Sequence, residues 1–435
     1  MSNIMELKKQ MFKFNYKILF LILSIWLCVL PGLVMAEGVL SWDDCVIEAL
    51  EHNPDLIAAK EEVIQSKEDK NMSISNVLPQ ISSQLSDKKS KTAGSSETNT
   101  YAYSVSGQQL LFDGFKTTSN INAAAKSLDA EEYNYMVVSS NVRLNLKIAF
   151  SSILRAQELI SLTEEIAKRR KENLDLVQVR YEAGREHKGA VLTAKADLAQ
   201  AEFEVSQAKR NLSLVQQELT NELGREKRTP VKVAGDFNIE DIEDFKPDCE
   251  SLADSTPFLK ELIARKEASR FNLIAAKAEF FPQVYLSGSF GRSHSEWPPK
   301  DDAWSTGLTL SLPIFEGGSR VSQIKKAKSQ LIQAEANERS GRDSVIYTLE
   351  KTWKDFQDAI ETVSVKKKFL EAALERGKIA NAQYSSGLTT FDDWIIIENN
   401  LVSAKKAYLD AQENLLAAEA YWIQAKGGIL EYVKK

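Results

Sequence analysis

Cysteine, histidine, proline and glycine are all scarce in this chain. Its 435 residues include 3 Cys, 3 His, 10 Pro and 19 Gly. Beyond the N-terminal region only Cys45 and Cys249 remain, too few for a disulfide scaffold, although the two could pair with each other. The histidines share no metal-ligand spacing, and no phosphate-binding loop or nucleophile motif accompanies them. We therefore expect no metal, no cofactor and no enzymatic activity.

Long apolar runs are also absent, except at the N-terminus. Lys8 and Lys17 belong to a basic segment that precedes an apolar stretch at 18–33, and a V-x-A pattern follows at 34–36. This order is typical of a secretory signal peptide over 1–36, which is cleaved. A retained anchor is the alternative, but the apolar stretch is short for a membrane span. Any membrane segment of the mature chain is therefore expected to consist of β-strands.

Basic residues are in slight deficit. The chain has 55 Lys and Arg against 61 Asp and Glu, a net charge of −6. Loss of the signal peptide removes four lysines and one glutamate and brings the charge to about −9. This balance argues against nucleic acid as a partner. The scarcity of helix breakers and the 27% of charged residues favour long helices over a compact α/β domain.

The chain matches itself at one constant offset of 203 residues, the distance from Pro54 to Pro257. The same offset relates five further pairs: Phe112 and Phe315, Gly114 and Gly317, Tyr181 and Tyr384, Gly184 and Gly387, and Gly224 and Gly427. Chance matches would scatter over many offsets, so the pattern indicates a tandem duplication. The chain then divides into four parts: a signal peptide (1–36), a first repeat (37–228), a linker (229–250) and a second repeat (251–435).

Each repeat opens with a predicted helix, over 42–77 in the first copy and 251–280 in the second, followed by two strand-like segments. In the strand that ends at Phe112, Tyr103 and Val105 lie on one face and Ser104 on the other. The segments are about 9–11 residues long, enough for a tilted strand to cross a bilayer. A half-exposed strand of a soluble sheet is the alternative interpretation.

Two helical seams complete each repeat. Mostly apolar residues recur at 3-4 spacing from Leu146 to Tyr181 and from Val191 to Leu219, and the second copy repeats both seams. A 3.5-residue period is typical of coiled coils and requires partner helices. The first helix, from about Lys116 to Tyr181, would be about 100 Å long, and the returning helix, about 188–224, about 55 Å.

Four strands cannot close a membrane barrel, because spanning barrels need at least about eight. An open sheet edge in lipid would leave backbone groups without hydrogen bonds, so several chains must contribute strands. Two chains would make a barrel too narrow for a conduit, whereas three would supply twelve strands. The predicted fold class is mainly α with membrane β: a trimeric α/β-barrel duct, with four strands and long coiled-coil helices per protomer in two tandem repeats.

The ordered set of motifs resembles the TolC family of outer-membrane efflux proteins over nearly all of 40–430. The resemblance rests on Pro79-Gln80, on the segments Leu111–Gly114 and Pro313–Gly318, and on the two Tyr-x-x-Gly turns between heptad helices. It implies a homotrimer in the outer membrane, with a helical tunnel through the periplasm. The function implied is a passive exit duct of a tripartite efflux or type I secretion system, which docks to a periplasmic adaptor protein and an inner-membrane transporter.

The resemblance also assigns candidate site residues. Phe112, Gly114, Phe315 and Gly317 mark the turns from strand to helix, and Tyr181, Gly184, Tyr384 and Gly387 mark the tips where an adaptor would dock. A helix C-cap with a packed tyrosine is the alternative for the tips. Asp392 and Asp393 would line a pore constriction, since the family places a gate aspartate at the position of Asp393; acids that complement the helix dipole are the alternative. The family's second gate aspartate is Ile396 here, and Ala190 replaces Asp393 in the first copy.

A different class of protein also fits part of the pattern. A secreted coiled-coil scaffold or adhesin stalk without channel activity would explain the heptads. It would not explain why both repeats contain a pair of strands at the same offset, with the same alternation of apolar and polar side chains. A periplasmic adaptor would need a lipoyl-like domain around one helical hairpin, and two tandem hairpins do not fit that plan.

Overall fold

A computed structural model of the chain describes residues 39–91, 93–94, 96–227, 229–237 and 247–431. The predicted signal peptide, 1–36, lies outside the described residues.

The described elements repeat in the same order in both halves of the chain. The first half contains β1 (Val39–Leu40), α1 (Trp42–His52), α2 (Pro54–Ser75), β2 (Gln80–Ser90), β3 (Thr98–Phe112), α3 (Lys116–Glu182), α4 (Lys188–Glu222) and β4 (Lys232–Val233). The second half contains α5 (Cys249–Ser255), α6 (Pro257–Ala278), β5 (Gln283–His294), β6 (Asp301–Ser311), α7 (Ser319–Ser386) and α8 (Phe391–Ala425). Most helix and strand starts coincide at the offset of 203, which confirms the tandem repeat.

The prediction of one continuous opening helix per repeat is wrong. The helix expected over 42–77 is interrupted at Asn53, which has extended backbone (φ −64°, ψ 123°) and caps α2 by accepting hydrogen bonds from the N–H groups of Asp55 and Leu56. In the second half Thr256 makes the same break (φ −66°, ψ 139°), and helix already begins at Cys249. Each break precedes a proline, whose ring disfavours helical backbone in the residue before it.

The long helices are as predicted. Helix α3 has 67 residues and α7 has 68, so each is about 100 Å long. Helix α3 packs against α2 and α4 of its own repeat and against α6 and α8 of the other, while α7 packs against α6 and α8. Every predicted seam position of α4 is buried or half-buried. No helix among the described residues has the length and apolar character needed to cross a bilayer.

One antiparallel sheet of order β2-β3-β5-β6 joins the two repeats. Its register places Val105 opposite Phe290 and Phe290 opposite Trp304, so these large side chains share one face. The other face carries small hydroxyl side chains; the Ser82 and Ser106 hydroxyls are 2.9 Å apart. The predicted alternation is confirmed. A β-bulge between Leu110 and Phe112 was not predicted.

The segment around the predicted linker forms a small parallel sheet. Val39 lies opposite Lys232, and Leu40 opposite Val233. This sheet contributes to a buried cluster with α1, α3 and α4 near the middle of the helical part. Cys45 and Cys249 are both buried, and the structure records no disulfide between them.

Candidate functional site at the helix turns

The two helix turns that end α3 and α7 lie side by side. Their buried cluster consists of Val177, Ala190, Val191, Ala194, Ala380, Tyr384, Phe391 and Trp394, from all four helices that meet there. The cluster joins the first repeat to the second at the end of the helices remote from the sheet. We call this region the tip. The sequence predicted each turn separately, and the structure brings them together.

Tyr384 is the centre of the tip and is 0% exposed. Its ring stacks on Trp394 with centroids 4.2 Å apart and planes 7° apart, and Phe391 meets it edge-on at 6.3 Å. Aromatic pairs of this kind stabilise a core beyond the area that they bury. The stack therefore fixes the start of α8 against the end of α7.

Polar contacts to Tyr384 join the two turns. Arg180 Nη1 donates to the backbone oxygen of Tyr384 at 2.7 Å, and the guanidinium lies over the tyrosine ring at 4.5 Å. The Tyr384 hydroxyl donates to Glu186 Oε2 at 3.0 Å. Burial, and then the hydrogen bond to the Glu186 carboxylate, raise the pKa of Tyr384 above its ordinary value.

The turn glycines are required by the backbone. Gly184 (φ +69°) and Gly387 (φ +81°) both adopt left-handed conformations. A Cβ on Gly184 would meet no atom within 4 Å. The φ angle, not a lack of space, therefore selects glycine there.

The two predicted tip tyrosines have different environments. Tyr181 is 40% exposed and lies outside the buried cluster, whereas its repeat equivalent Tyr384 is fully buried. Tyr384 therefore positions the Gly387 turn from inside this chain, and the exposed atoms of that turn belong to neighbouring residues such as Leu388.

Asp392 and Asp393 are exposed in the first turn of α8. The Asp393 N–H donates to Thr390 Oγ1 at 3.2 Å, and the Thr390 hydroxyl donates to the Asp393 carboxylate at 2.7 Å. Asp393 thus takes part in an N-cap, the ordinary role of an acid at this position. Its equivalent in the first repeat, Ala190, is buried, and His187 provides the cap there.

A buried ion pair near the tip was not predicted from the sequence. Arg169 on α3 donates through Nε and Nη2 to the two carboxylate oxygens of Glu398 on α8, at 2.6 and 2.7 Å. Glu398 is 1% exposed. The neighbouring Arg170 donates to the side chain of Asn399 on the same helix. The sequence contained one signal for these polar contacts between α3 and α8. Arg170 is a charged residue at a position of the α3 seam, and most of the other seam positions are apolar.

The strand-to-helix turns lie at the opposite end of α3 and α7. Gly114 (φ +69°) is in close contact, since a Cβ there would lie 2.4 Å from Phe281 Cβ. Gly317 (φ +61°) has open space around it, and Phe315 is 85% exposed. Phe112 ends β3. These four residues therefore define two turns with very different packing.

Among relatives, BepC, an outer membrane efflux protein of Brucella suis, is 21% identical over 388 residues, which cover 88% of this chain and 84% of BepC. TolC of Escherichia coli is 22% identical over 350 residues, covering 75% of this chain and 69% of TolC. The solved outer membrane channel CmeC of Campylobacter jejuni superposes with a TM-score of 0.81 at 18% identity, over 89% of this chain and 86% of that one.

These findings define the class: a channel protein with two tandem repeats of long helices and a short sheet. The sequence matches the Outer membrane efflux protein family over residues 46–225 and 250–428, and the chain belongs to this family. It is an outer-membrane efflux channel that extends into the periplasm, as the resemblance to the TolC family predicted. The family is one of channels, and the alternative of a scaffold or adhesin stalk is disfavoured.

Proposed function

We propose that three copies of this chain form one passive exit duct, and that the duct serves a tripartite efflux or type I secretion system. The main support for this proposal is the unpaired edges of the sheet. Within the described residues β2 pairs only with β3, and β6 only with β5, so one edge of each is unpaired. In lipid those edges need partner strands. Three copies of a four-stranded sheet supply twelve strands and close the barrel.

The exposed sides of the helices support the same assembly. Helix α7 packs on α6 and α8, and its large apolar side chains Tyr347 and Phe369 are exposed in the single chain. Helix α4, which packs on α3, exposes Phe203 and Leu214. Exposed apolar surface on long rods favours association. In the proposed trimer, α7 of one copy would pack against α2 and α4 of the next copy.

The tip is proposed as both the constriction and the docking surface. Three copies would arrange Asp392 and Asp393 as rings of like charge, which narrow a pore and favour cations. Both carboxylates are exposed, as such a role requires. The exposed surface around Tyr181, Gly184 and Gly387 would receive a periplasmic adaptor, and that adaptor would link the duct to an inner-membrane transporter.

The test is the mass and conductance of the processed protein in detergent. Size-exclusion chromatography with light scattering should give three chains per particle, and planar bilayers in potassium chloride should show discrete channels with cation preference. A stable monomer that needs no detergent would refute the trimeric duct. Trimers without conductance would instead favour the scaffold.

A further inference from the structure

Phe115 has an unusual backbone conformation. Among the described residues it is the only non-glycine with positive φ (φ 68°, ψ 17°). Its equivalent in the second repeat is Gly318, which holds the same conformation (φ 86°, ψ 2°) at the start of α7. A residue with a Cβ is strained in this region and glycine is not. Glycine would therefore be the unstrained residue at this helix start, as it is in the second repeat. The first repeat has a phenylalanine at that position.

Within the described chain, the contacts given below for the Phe115 side chain do not compensate for this backbone strain. The Phe115 side chain is 69% exposed, and its one recorded ring contact is with Phe112, edge-on at 6.0 Å. The hydrogen bonds at this residue go from Ser119 to the Phe115 backbone oxygen, and a glycine would accept them equally well. The side chain is thus available for a surface outside the chain.

The direction of that surface follows from the sheet register. Because of the bulge at Leu111, Phe112 lies opposite Val284, and Val284 lies opposite Leu310. Without the bulge, Phe112 would lie on the hydroxyl-rich face. The bulge places it on the face that carries Phe290, and the ring of Phe115 lies edge-on to the ring of Phe112 at 6.0 Å.

Other exposed apolar residues lie in the two strand-to-helix turns. Ile314 is 93% exposed and Phe315 85% exposed in the second turn, and Phe281, also exposed, packs beside Gly114 in the first. In outer-membrane channels the apolar strand face contacts acyl chains, and aromatic residues favour the boundary between acyl chains and headgroups. The chain therefore presents aromatics where its membrane strands pass into periplasmic helices.

We propose that Phe115 is a membrane anchor, which inserts with Phe112 into the phospholipid boundary on the periplasmic side of the outer membrane. The strain at Phe115 is retained because lipid contact compensates for it. This inference rests on the proposed membrane barrel. It assigns lipid, not a neighbouring copy of the chain, as the partner of this surface.

Spin labels can locate the residue. Phe115→Cys, Trp304→Cys and Leu388→Cys would be labelled in the processed protein and inserted into phosphatidylethanolamine and phosphatidylglycerol vesicles. The unsubstituted protein, whose Cys45 and Cys249 are buried, provides the labelling baseline. Collision rates with oxygen and with a water-soluble nickel chelate should place position 304 in the acyl region, 388 in water and 115 between them.

The outcomes separate the two proposals. If position 304 reports water, the membrane barrel itself fails. If 304 reports lipid while 115 matches 388, only the anchor is refuted. Low collision rates of both reagents at 115 would mean that a neighbouring copy covers it, which also refutes the anchor.

A substitution provides an independent test. Phe115→Gly should leave the melting temperature in detergent equal to or above that of the parent, since strain is removed, while insertion into vesicles falls several-fold. Phe115→Trp should restore insertion, and Leu388→Ala should change neither measurement. Unchanged insertion of Phe115→Gly, or a matching loss of stability in detergent, would overturn the proposal.

Discussion

The buried pair between Arg169 and Glu398 should respond asymmetrically to loss of either partner. Among the described residues, Arg169→Ala would leave the Glu398 carboxylate, 1% exposed, with only a weak contact from Asn173 Nδ2 at 3.5 Å. An uncompensated buried charge costs about 3–5 kcal/mol. Glu398→Gln would leave Arg169, whose side chain is 33% exposed and can turn toward water. The expected loss there is about 1–2 kcal/mol.

A pair on the same two helices provides a matched control. Lys405 Nζ lies 2.6 Å from Glu165 Oε1, but the Glu165 side chain is 59% exposed. Exposed pairs contribute about 0–1 kcal/mol, so Lys405→Ala should have little effect. A double variant, Arg169→Met with Glu398→Leu, should lose less stability than Arg169→Ala, because an apolar pair leaves no buried charge.

The assay is amide hydrogen exchange followed by mass spectrometry on peptides from the first turns of α8. A change of 1.4 kcal/mol corresponds to tenfold in the opening equilibrium. Exchange should therefore accelerate by at least about 100-fold in Arg169→Ala and about tenfold in Glu398→Gln. Equal acceleration in Arg169→Ala and Lys405→Ala would show that the buried carboxylate does not depend on its partner, and the reasoning would be wrong.

Three further predictions concern other parts of the chain. Gly114→Ala should lower stability by about 1–3 kcal/mol, measured by thermal unfolding in detergent, because the new Cβ would overlap Phe281 and Ala is strained at positive φ; an unchanged transition would contradict this. Burial raises the pKa of Cys45 to about 12, so a thiol reagent at pH 8 should label it only after unfolding. Because that folded pKa is raised, the thiol's contribution to stability should be complete below its ordinary pKa and lost as the pH rises toward 12, and Cys45→Ser should remove this part of the pH dependence. Asp392→Asn with Asp393→Asn should lower the cation-to-anion permeability ratio in planar bilayers, and an unchanged ratio would remove these residues from the constriction.

The repeat and its long helices could be predicted because their signals are local. A seam of 3.5-residue period predicts a helix wherever it occurs, and a constant offset transfers each element to the second copy. The bounds of α3 and α7 agree with that prediction to within a few residues. The alternation in β3 likewise predicted which side chains share a face, because strand side chains alternate by geometry.

The break at Asn53 has a local signal in the sequence, although one continuous helix was predicted there. Apolar spacing continues across it, yet the proline at 54 acts on the residue before it. The bulge at Leu111 had no such signal. A bulge depends on the partner strand, and its consequence, the turning of Phe112 onto the apolar face, appears only when β3 is paired with β5.

The amino-acid sequence was thus sufficient to predict the duplication, the long helices, the strands and the family to which the chain belongs. How the two copies meet depends on tertiary packing. Tyr181 and Tyr384 occupy equivalent places in their repeats, but only Tyr384 is buried, because the aromatic residues at the start of α8 pack on it. Arg169 and Glu398 lie 229 residues apart in the chain. Contacts over such distances depend on how whole helices pack, and no periodicity within one helix encodes them.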